Sequence, residues 1–329
     1  MNLKKLENLT SEFKNKKIVV IGDLMIDHYV WGEVNRISPE APVPIVKVDR
    51  EEYRLGGASN VAFNIKTLGA TPIVLGIAGN DSYGKILKDL FESKEINSDN
   101  IILSDSKKTI IKSRIIAHNQ QVVRIDFEED SAINAEIESL LIEKLEALIN
   151  DVDAVILEDY NKGLLTKTLI SKIISLCTEN DVIVTVDPKF DNFFSYKNVD
   201  VFKPNLNEMK KNLNVDFINE KDFEDKAVKL RNQLECKYLM ITRGEKGLTV
   251  FSENDVFTIP TYAQKVFDVS GAGDTVISTL TLCLSCGEKI LPSSIIANHA
   301  AGSVCGKIGV EPVYIDDIVK SFKDVNENN

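Results

Sequence analysis

Short apolar runs and apolar stripes at helical spacing alternate along most of the chain. A run rich in β-branched residues, 17–22 (KIVVIG), predicts a buried first strand that ends at Gly22-Asp23. Behind Gly56-Gly57 the apolar spacing predicts a helix that stops at Gly69. Later stripes predict helices over 83–91, 137–148, 166–177 and 220–234, and apolar runs predict strands over 72–78, 154–157, 182–186, 199–202 and 238–242. Hairpins are predicted over 109–127, turning at His118-Asn119, and over 248–259.

This alternation predicts an α/β protein with three layers, in which helices cover both faces of a mostly parallel central sheet. The core would comprise residues 1–27, 56–107 and 128–329. Two β-prone segments, 28–55 and 108–127, do not fit the alternation. They predict a small separate sheet, a β lid over the strand ends where open α/β folds bind ligands. The tail, 324–329, is predicted to be disordered.

Composition narrows the class of protein. The 329 residues are 43% hydrophobic and 27% charged, which is typical of a soluble globular protein. A net charge of −11 argues against nucleic acid as the partner. No apolar run reaches the ~18 residues of a membrane span and the start lacks a signal-peptide core, so the sequence predicts a cytoplasmic protein that is not membrane-bound. Five widely spaced cysteines predict free thiols, the CxxC pair Cys283 and Cys286 included.

The stretch 268–274 (DVSGAGD) is the strongest candidate for chemistry. Val276, Leu280, Cys283 and Leu284 form one apolar stripe, so a helix begins near Gly271. Unpaired N–H groups at a helix start attract anions, and Gly271, Ala272 and Gly273 would let a phosphate approach closely. A carboxylate beside a phosphate, as at Asp274, suits proton abstraction from an attacking hydroxyl. The alternative is a glycine-rich turn with an acidic first-turn residue.

Two further groups of residues each have two interpretations. Asn205 and Glu208 have capping-box spacing, or else hold Mg²⁺ through water near nucleotide phosphates. A second group could bind a sugar, or else consists of ordinary turn and cap residues: Asp27, Gly56, Gly57 and Asn60. Walker, protein-kinase and dinucleotide-binding motifs are absent from the sequence.

These motifs together resemble the ribokinase-like (PfkB) family of carbohydrate kinases, from about residue 15 to 320. The family-level signatures are GG…N near residue 56 and GAGD at 271–274. One branch, the D-glycero-β-D-manno-heptose-7-phosphate 1-kinases, is more closely resembled. The segments that carry this likeness are 22–27 (GDLMID), 36–44 (RISPEAPVP), 56–62 (GGASNVA), 119–121 (NQQ), 124–128 (RIDFE), 159–163 (DYNKG) and 187–189 (DPK).

The resemblance implies a ribokinase-like fold, ATP and Mg²⁺ as cofactors, and leaves a monovalent cation open. It implies Asp274 as catalytic base at the helix start that begins with Gly271, with the N–H groups of Ala272 and Gly273 in the anion hole. The residues implied for the nucleotide are Asn205, Glu208, Thr242, Arg243, Gly244, Gly247, Asn298 and Gly302, with Mg²⁺ at Asn205 and Glu208. The residues implied for the sugar are Asp27, Gly56, Gly57, Asn60, Arg124, Asp159 and Lys162. A homodimer through the β lid is also implied.

The function that the resemblance implies is phosphorylation of the anomeric O1 of a heptose 7-phosphate, a step toward ADP-heptose. Two residues depart from the branch: His28 replaces an arginine and Ser270 replaces the more usual threonine. Many such kinases are fused to an adenylyltransferase half; this sequence ends at Asn329, which predicts a separate adenylyltransferase. The alternatives are a kinase for another sugar or sugar phosphate, and a non-catalytic sugar-binding regulator.

Overall fold

The computed structural model describes residues 2–118, 120–263, 266–307 and 309–327, and its elements alternate as α/β proteins do. In chain order the strands are β1 Lys17–Gly22, β2 Leu24–Ile37, β3 Pro44–Gly57, β4 Thr71–Gly79, β5 Ile101–Ser104, β6 Ile110–Ala117, β7 Gln120–Phe127, β8 Ala154–Glu158, β9 Ile183–Asp187, β10 Val201–Phe202, β11 Tyr238–Thr242, β12 Leu248–Phe251 and β13 Val256–Ile259. The α-helices are α1 Leu3–Glu12, α2 Ala58–Thr67, α3 Ser82–Ser93, α4 Ala135–Leu148, α5 Lys167–Glu179, α6 Leu206–Leu213, α7 Glu220–Leu234, α8 Ala272–Ser285, α9 Ile290–Val304 and α10 Ile315–Glu327.

A large sheet forms the middle layer, in the order β13-β12-β11-β10-β9-β8-β1-β4-β5. From β11 to β5 the neighbouring strands are parallel, and β12 and β13 add an antiparallel edge. The strands β1 and β8 read as unbroken apolar runs because helices cover both of their faces, where separate hydrophobic clusters are buried. The predicted α/β fold class is therefore confirmed. The carboxyl ends of β1, β8 and β9 meet at one edge of this sheet.

A smaller sheet has the order β3-β2-β6-β7 and contains both segments that break the alternation. Its β2 pairs antiparallel with β3 and parallel with β6. Successive side chains of β2 point to opposite faces, so Asp27 and His28 lie on different sides. His28 stacks on Tyr53 at 4.3 Å and contacts Ser113 Oγ through Nδ1 at 3.0 Å. That this sheet is a lid, and that the chain divides into core and lid, stays a prediction.

Some elements were not predicted. The apolar patterns of the sequence did not predict α1, β5, α9 and α10. The predicted disorder of the tail is wrong as far as Glu327, where α10 ends. Asn119, at the predicted hairpin turn, lies outside the described residues, as do Asn328 and Asn329. All five cysteines are free thiols. In the described part of the chain, no helix has both the length and the apolar composition needed to cross a bilayer.

Candidate active site

The start of α8 is the centre of the candidate site. Gly271 caps the helix with φ +78°, a left-handed conformation that glycine adopts without strain. A Cβ on Gly273 would lie 3.3 Å from Asp187 Oδ2 and 3.4 Å from Lys203 Nζ. The glycine therefore lets the first turn of α8 approach a charged pair closely. The N–H of Ala272 donates to Val269 O at 3.2 Å, whereas among the described residues the N–H of Gly273 has no backbone partner.

Asp274 lies in the first turn of α8, and neighbouring donors orient both of its carboxylate oxygens. Asn60 Nδ2 donates to Oδ2 at 2.7 Å, and Tyr160 Oη donates to Oδ1 at 3.0 Å. Burial raises the pKa of Asp274, the Asn60 hydrogen bond lowers it, and the nearby Asp187 raises it again. A fixed carboxylate with a raised pKa is well suited to accept a proton.

Two more carboxylates lie beside Asp274, at the ends of β8 and β9. Oxygen atoms of Glu158, Asp187 and Asp274 lie within 4.8 Å of one another, and all three residues are buried. Lys203 Nζ donates to Asp187 Oδ2 at 2.7 Å, and this ammonium offsets part of the negative charge. Both oxygens of Glu158 lack a hydrogen-bond partner among the described residues. Burial first, and then the charges of Asp187 and Asp274, raise the pKa of Glu158 well above its usual value.

Replacing Glu158 by glutamine is expected to stabilise the protein increasingly as the pH rises. The folded state holds the Glu158 proton at pH values where the unfolded state, with a pKa of 4.5, has lost it. The stability that Glu158 contributes is therefore complete below pH 4.5 and is lost as the pH rises through the folded-state pKa. Glutamine does not titrate, so the free energy of unfolding of the variant should gain on the wild type by about 1.4 kcal/mol per pH unit in that interval.

Urea unfolding of both proteins at a series of pH values measures this difference. The matched control is Glu146→Gln, because Glu146 is exposed on α4. Burial raises the pKa of Asp23 to about 6, but Asp23 is present in both proteins and cancels in the difference. A stability difference between Glu158→Gln and wild type that is flat with pH would contradict the buried, unpaired carboxyl described above.

A cavity of about 600 Å³ lies against the first turn of α8. Most of the residues predicted for the nucleotide, the anion hole and the base line this cavity: Gly271, Ala272, Gly273, Asp274, Asn205, Glu208, Thr242, Gly244, Gly247, Asn298 and Gly302. Arg243 is not among the lining residues: its guanidinium pairs with Glu220 and packs over the ring of Phe223 at 4.2 Å. The side chain of Arg243 therefore belongs to the α7 side of the fold.

Asn205 and Glu208 form a complete capping box and also line the cavity. Asn205 Oδ1 accepts from Glu208 N at 2.9 Å, and Glu208 Oε2 accepts from Asn205 N at 2.8 Å. Glu208 Oε1 accepts from Lys189 Nζ at 2.6 Å. Each carboxylate oxygen can accept a further hydrogen bond, and hard oxygen donors suit Mg²⁺. These residues fit a Mg²⁺ ion held through its water ligands.

Four of the residues predicted for the sugar lie where β2, β3 and α2 meet: Asp27, Gly56, Gly57 and Asn60. A Cβ on Gly56 would lie 2.4 Å from Asp27 Oδ2, so only glycine leaves room for this carboxylate. Asn60 follows in the first turn of α2 and joins this group to Asp274. Asp27 is itself ion-paired with Arg114. Of the residues predicted for the sugar, Asn60 is therefore in direct contact with the predicted base.

Three residues predicted for the substrate have other partners. Asp159 is buried and accepts hydrogen bonds from Tyr196 Oη at 2.6 Å and from Asn161 N at 2.8 Å. Lys162 Nζ pairs with Glu128 and Asp130. Arg124, whose side chain is 52% exposed, pairs with Asp126. In this structure none of the three contacts Asp274 or Asn60.

Several charged or polar residues around Asp274 had no role predicted from the sequence. They come from three separate parts of the chain, at the ends of β8, β9 and β10: Glu158, Tyr160, Asp187, Lys189 and Lys203. Their positions along the chain could have indicated a role, because each residue ends or follows a predicted strand of the parallel sheet. Ligand sites form at the carboxyl ends of such strands.

Comparison with known proteins gives matches over nearly the whole chain. The model of the pfkB family carbohydrate kinases matches residues 15–316. The bifunctional protein HldE of Aliarcobacter butzleri is 41% identical over 317 residues, covering 96% of this chain and 66% of that protein. The bifunctional protein HldE of Haemophilus influenzae is 41% identical over 305 residues, covering 92% and 63%. The chain thus spans just under two thirds of the length of these relatives.

Solved structures support the same fold at low sequence identity. Phosphofructokinase-2 from Escherichia coli, in complex with potassium, superposes with a TM-score of 0.79 at 17% identity, covering 94% of this chain and 99% of that one. Ribokinase from Arabidopsis thaliana, complexed with ribose and ATP, superposes with a TM-score of 0.74 at 16% identity, again covering 94% and 99%. At this level of identity the likeness shows the three-dimensional fold.

Proposed function

Because the chain belongs to the pfkB family of carbohydrate kinases, we propose that it transfers the γ-phosphoryl group of ATP to the anomeric O1 of D-glycero-β-D-manno-heptose 7-phosphate. The observation that carries the kinase activity is Asp274, a buried carboxylate oriented by two donors at a glycine-rich helix start. The choice of sugar is supported by the likeness of segments 36–44 and 56–62 to the heptose-7-phosphate kinases, and by 41% identity to bifunctional proteins HldE.

Asp274 acts as the general base of the proposed reaction. It takes the proton from the O1 hydroxyl while O1 bonds to the γ-phosphorus and the bond from that phosphorus to the β,γ-bridging oxygen breaks, releasing ADP. Asn60 and Tyr160 hold the carboxylate in place for this transfer. The raised pKa of Asp274 makes it a stronger base than an exposed aspartate.

The first turn of α8 stabilises the charge on the phosphoryl group in transfer. The N–H of Gly273, free of backbone partners among the described residues, donates to a phosphoryl oxygen at the positive end of the helix. The N–H of Ala272 would have to exchange its bond to Val269 O to do the same. The ammonium of Lys203, ion-paired with Asp187 beside the first turn of α8, reduces the negative charge that a phosphoryl group meets there. Mg²⁺ held by Asn205 and Glu208 through water would supply neutralisation of the β- and γ-phosphate charges.

The proposed assembly is a homodimer through the smaller sheet. Alternate residues of β7 leave large apolar side chains exposed: Val123, Ile125 and Phe127 at 46%, 42% and 54%. Such a strip is typical of a surface that another chain covers. A cytoplasmic location, a separate adenylyltransferase and a monovalent cation stay predictions from the sequence.

The substrate is tested by measuring ADP release with heptose 7-phosphate, ribose and fructose 6-phosphate. We expect heptose 7-phosphate to give the highest kcat/KM of the three. A higher kcat/KM with ribose or fructose 6-phosphate would show that heptose 7-phosphate is not the preferred substrate, and the sugar kinase activity would still be supported. Binding of sugar with no ADP release from any of the three would instead favour a non-catalytic regulator, the alternative that the Asp274 geometry opposes.

A further inference from the structure

The face of the smaller sheet that carries Asp27 also carries several cationic side chains. In register with Asp27 lie Arg54 on β3 and Lys112 on β6. Two residues further along β2, Tyr29 is in register with Arg114 on β6. Arg114 is in turn directly opposite Arg124 on β7. Residues in register point to the same face, so these cations lie on the side of the sheet that carries Asp27.

These cations differ in how many carboxylates neutralise them. Arg54 pairs with Glu52 and Glu311, and Lys112 pairs with Asp126 and Glu128. Arg114 pairs with Asp27, and Arg124 pairs with Asp126, which Lys112 also contacts. Like charges directly opposite each other on neighbouring strands are destabilising. An anion between Arg114 and Arg124 would remove that repulsion.

Both arginines have donor groups to spare. The hydrogen bonds of Arg114 run through Nη1, to Asp27 Oδ1 and to Lys112 O, and its guanidinium also lies over the ring of Tyr29 at 5.4 Å. The single hydrogen bond of Arg124 runs through Nη2. Within the described ranges, Nε and Nη2 of Arg114 and Nε and Nη1 of Arg124 donate no hydrogen bond. The side chain of Arg114 is 15% exposed, so a contact there is shielded from water. A guanidinium fork matches the oxygens of a phosphate.

The position of this pair relative to the sugar suggests its ligand. A sugar that presents O1 to Asp274 and other hydroxyls to Asp27 brings the end remote from O1 next to Arg114. The guanidinium of Arg114 is ion-paired with the carboxylate of Asp27. His28, which stands where the resembled branch has an arginine, lies on the opposite face of the sheet against Tyr53 and Glu51. We propose that Arg114, with Arg124 opposite it, binds the distal phosphate of the sugar substrate. This inference rests on the proposed function.

The test measures kcat/KM for D-glycero-β-D-manno-heptose 7-phosphate and for the same heptose without its phosphate. The variants are Arg114→Met and Arg124→Met, with Arg50→Met as the matched control, because Arg50 is exposed further along β3 and stacks over Trp31. A hydrogen bond to a charged group changes binding about ten- to a hundredfold. We expect Arg114→Met to lower the preference for the phosphorylated sugar by that factor. Arg124→Met should lower it less, and Arg50→Met should leave it as in the wild type.

An unchanged preference in Arg114→Met would overturn the inference, and the wild-type turnover of heptose 7-phosphate would still support the proposed function. If Arg114→Met does not fold, Arg114→Lys, which keeps the charge without the fork, and Arg124→Met decide the question by the same ratio. If the wild type releases no ADP with either heptose, the proposed function fails. The arginine pair is then judged by calorimetric binding of fructose 6-phosphate against fructose: a selective loss for the phosphate in Arg114→Met supports it, and equal binding overturns it.

Discussion

Asp274→Asn is expected to lower kcat by at least about a hundredfold while the affinity for ATP changes little. Asparagine has the size of aspartate but cannot accept the hydroxyl proton. Its oxygen can still accept from Asn60 Nδ2, and its amide can donate to Tyr160 Oη, so both neighbours keep a partner. General-base catalysis typically contributes ~10²–10⁴ in rate, and the loss should fall in that range.

Steady-state ADP release gives kcat, and equilibrium titration with ATP gives the affinity. The charge-matched control is Asp255→Asn, because Asp255 is exposed at the turn between β12 and β13. Near-native turnover in Asp274→Asn would show that another group takes the proton. A parallel loss of ATP affinity would show that the variant damages the cavity.

Elements with a clear local signal were predicted well. The bounds predicted for α7 and β11 agree with the observed Glu220–Leu234 and Tyr238–Thr242. Asn219 caps α7 through its side chain, which gives that helix a defined start. By contrast α9 is apolar around most of its circumference and shows no stripe, because it is buried against α8. The strand β5 has four residues, too few for a periodic signal.

The tail shows why composition alone can mislead. Residues 324–329 are polar apart from Val325, and this composition predicted disorder. Upstream of them Ile318 and Phe322 are buried in the hydrophobic cluster beside α2, and this contact holds α10 on the core. Tertiary packing therefore decides the structure of a segment whose own composition favours the unfolded state.

The candidate site also has a part that local sequence motifs predict and a part that depends on tertiary structure. Gly271, Gly273 and Asp274 form one local motif, and Asn205 with Glu208 form another, so both were visible in the sequence. The contact of Asp274 with Asn60 joins residues 214 positions apart, and no local pattern encodes it. The sequence also did not predict which way a side chain points. Arg243 pairs with Glu220 and does not line the cavity. Local motifs thus predict which residues carry the chemistry, while the sheet decides which of them meet.

Lys203→Met is expected to lower the free energy of unfolding by about 3–5 kcal/mol, because it leaves buried carboxylates without their cation. The side chain of Lys203 is 2% exposed and that of its partner Asp187 is 8% exposed. With Glu158 and Asp274 within 4.8 Å of Asp187, the loss of the ammonium leaves three buried acidic side chains together and no cation bonded to Asp187. A domain is typically stable by about 5–15 kcal/mol, so this one change would remove a large share of the total.

Urea unfolding at pH 7 measures the loss, and a second substitution shows its cause. In Lys203→Met/Asp187→Asn the charge that Lys203 neutralises is gone as well, so the double variant should recover part of the lost stability. Lys226→Met is the matched control, because Lys226 forms an i,i+4 pair with Asp222 on the surface of α7 and such pairs contribute about 0.3–0.5 kcal/mol. If the double variant is no more stable than Lys203→Met, the loss comes from packing around the lysine stem. In that case the charge of Lys203 is not what permits three carboxylates to lie together beside the first turn of α8.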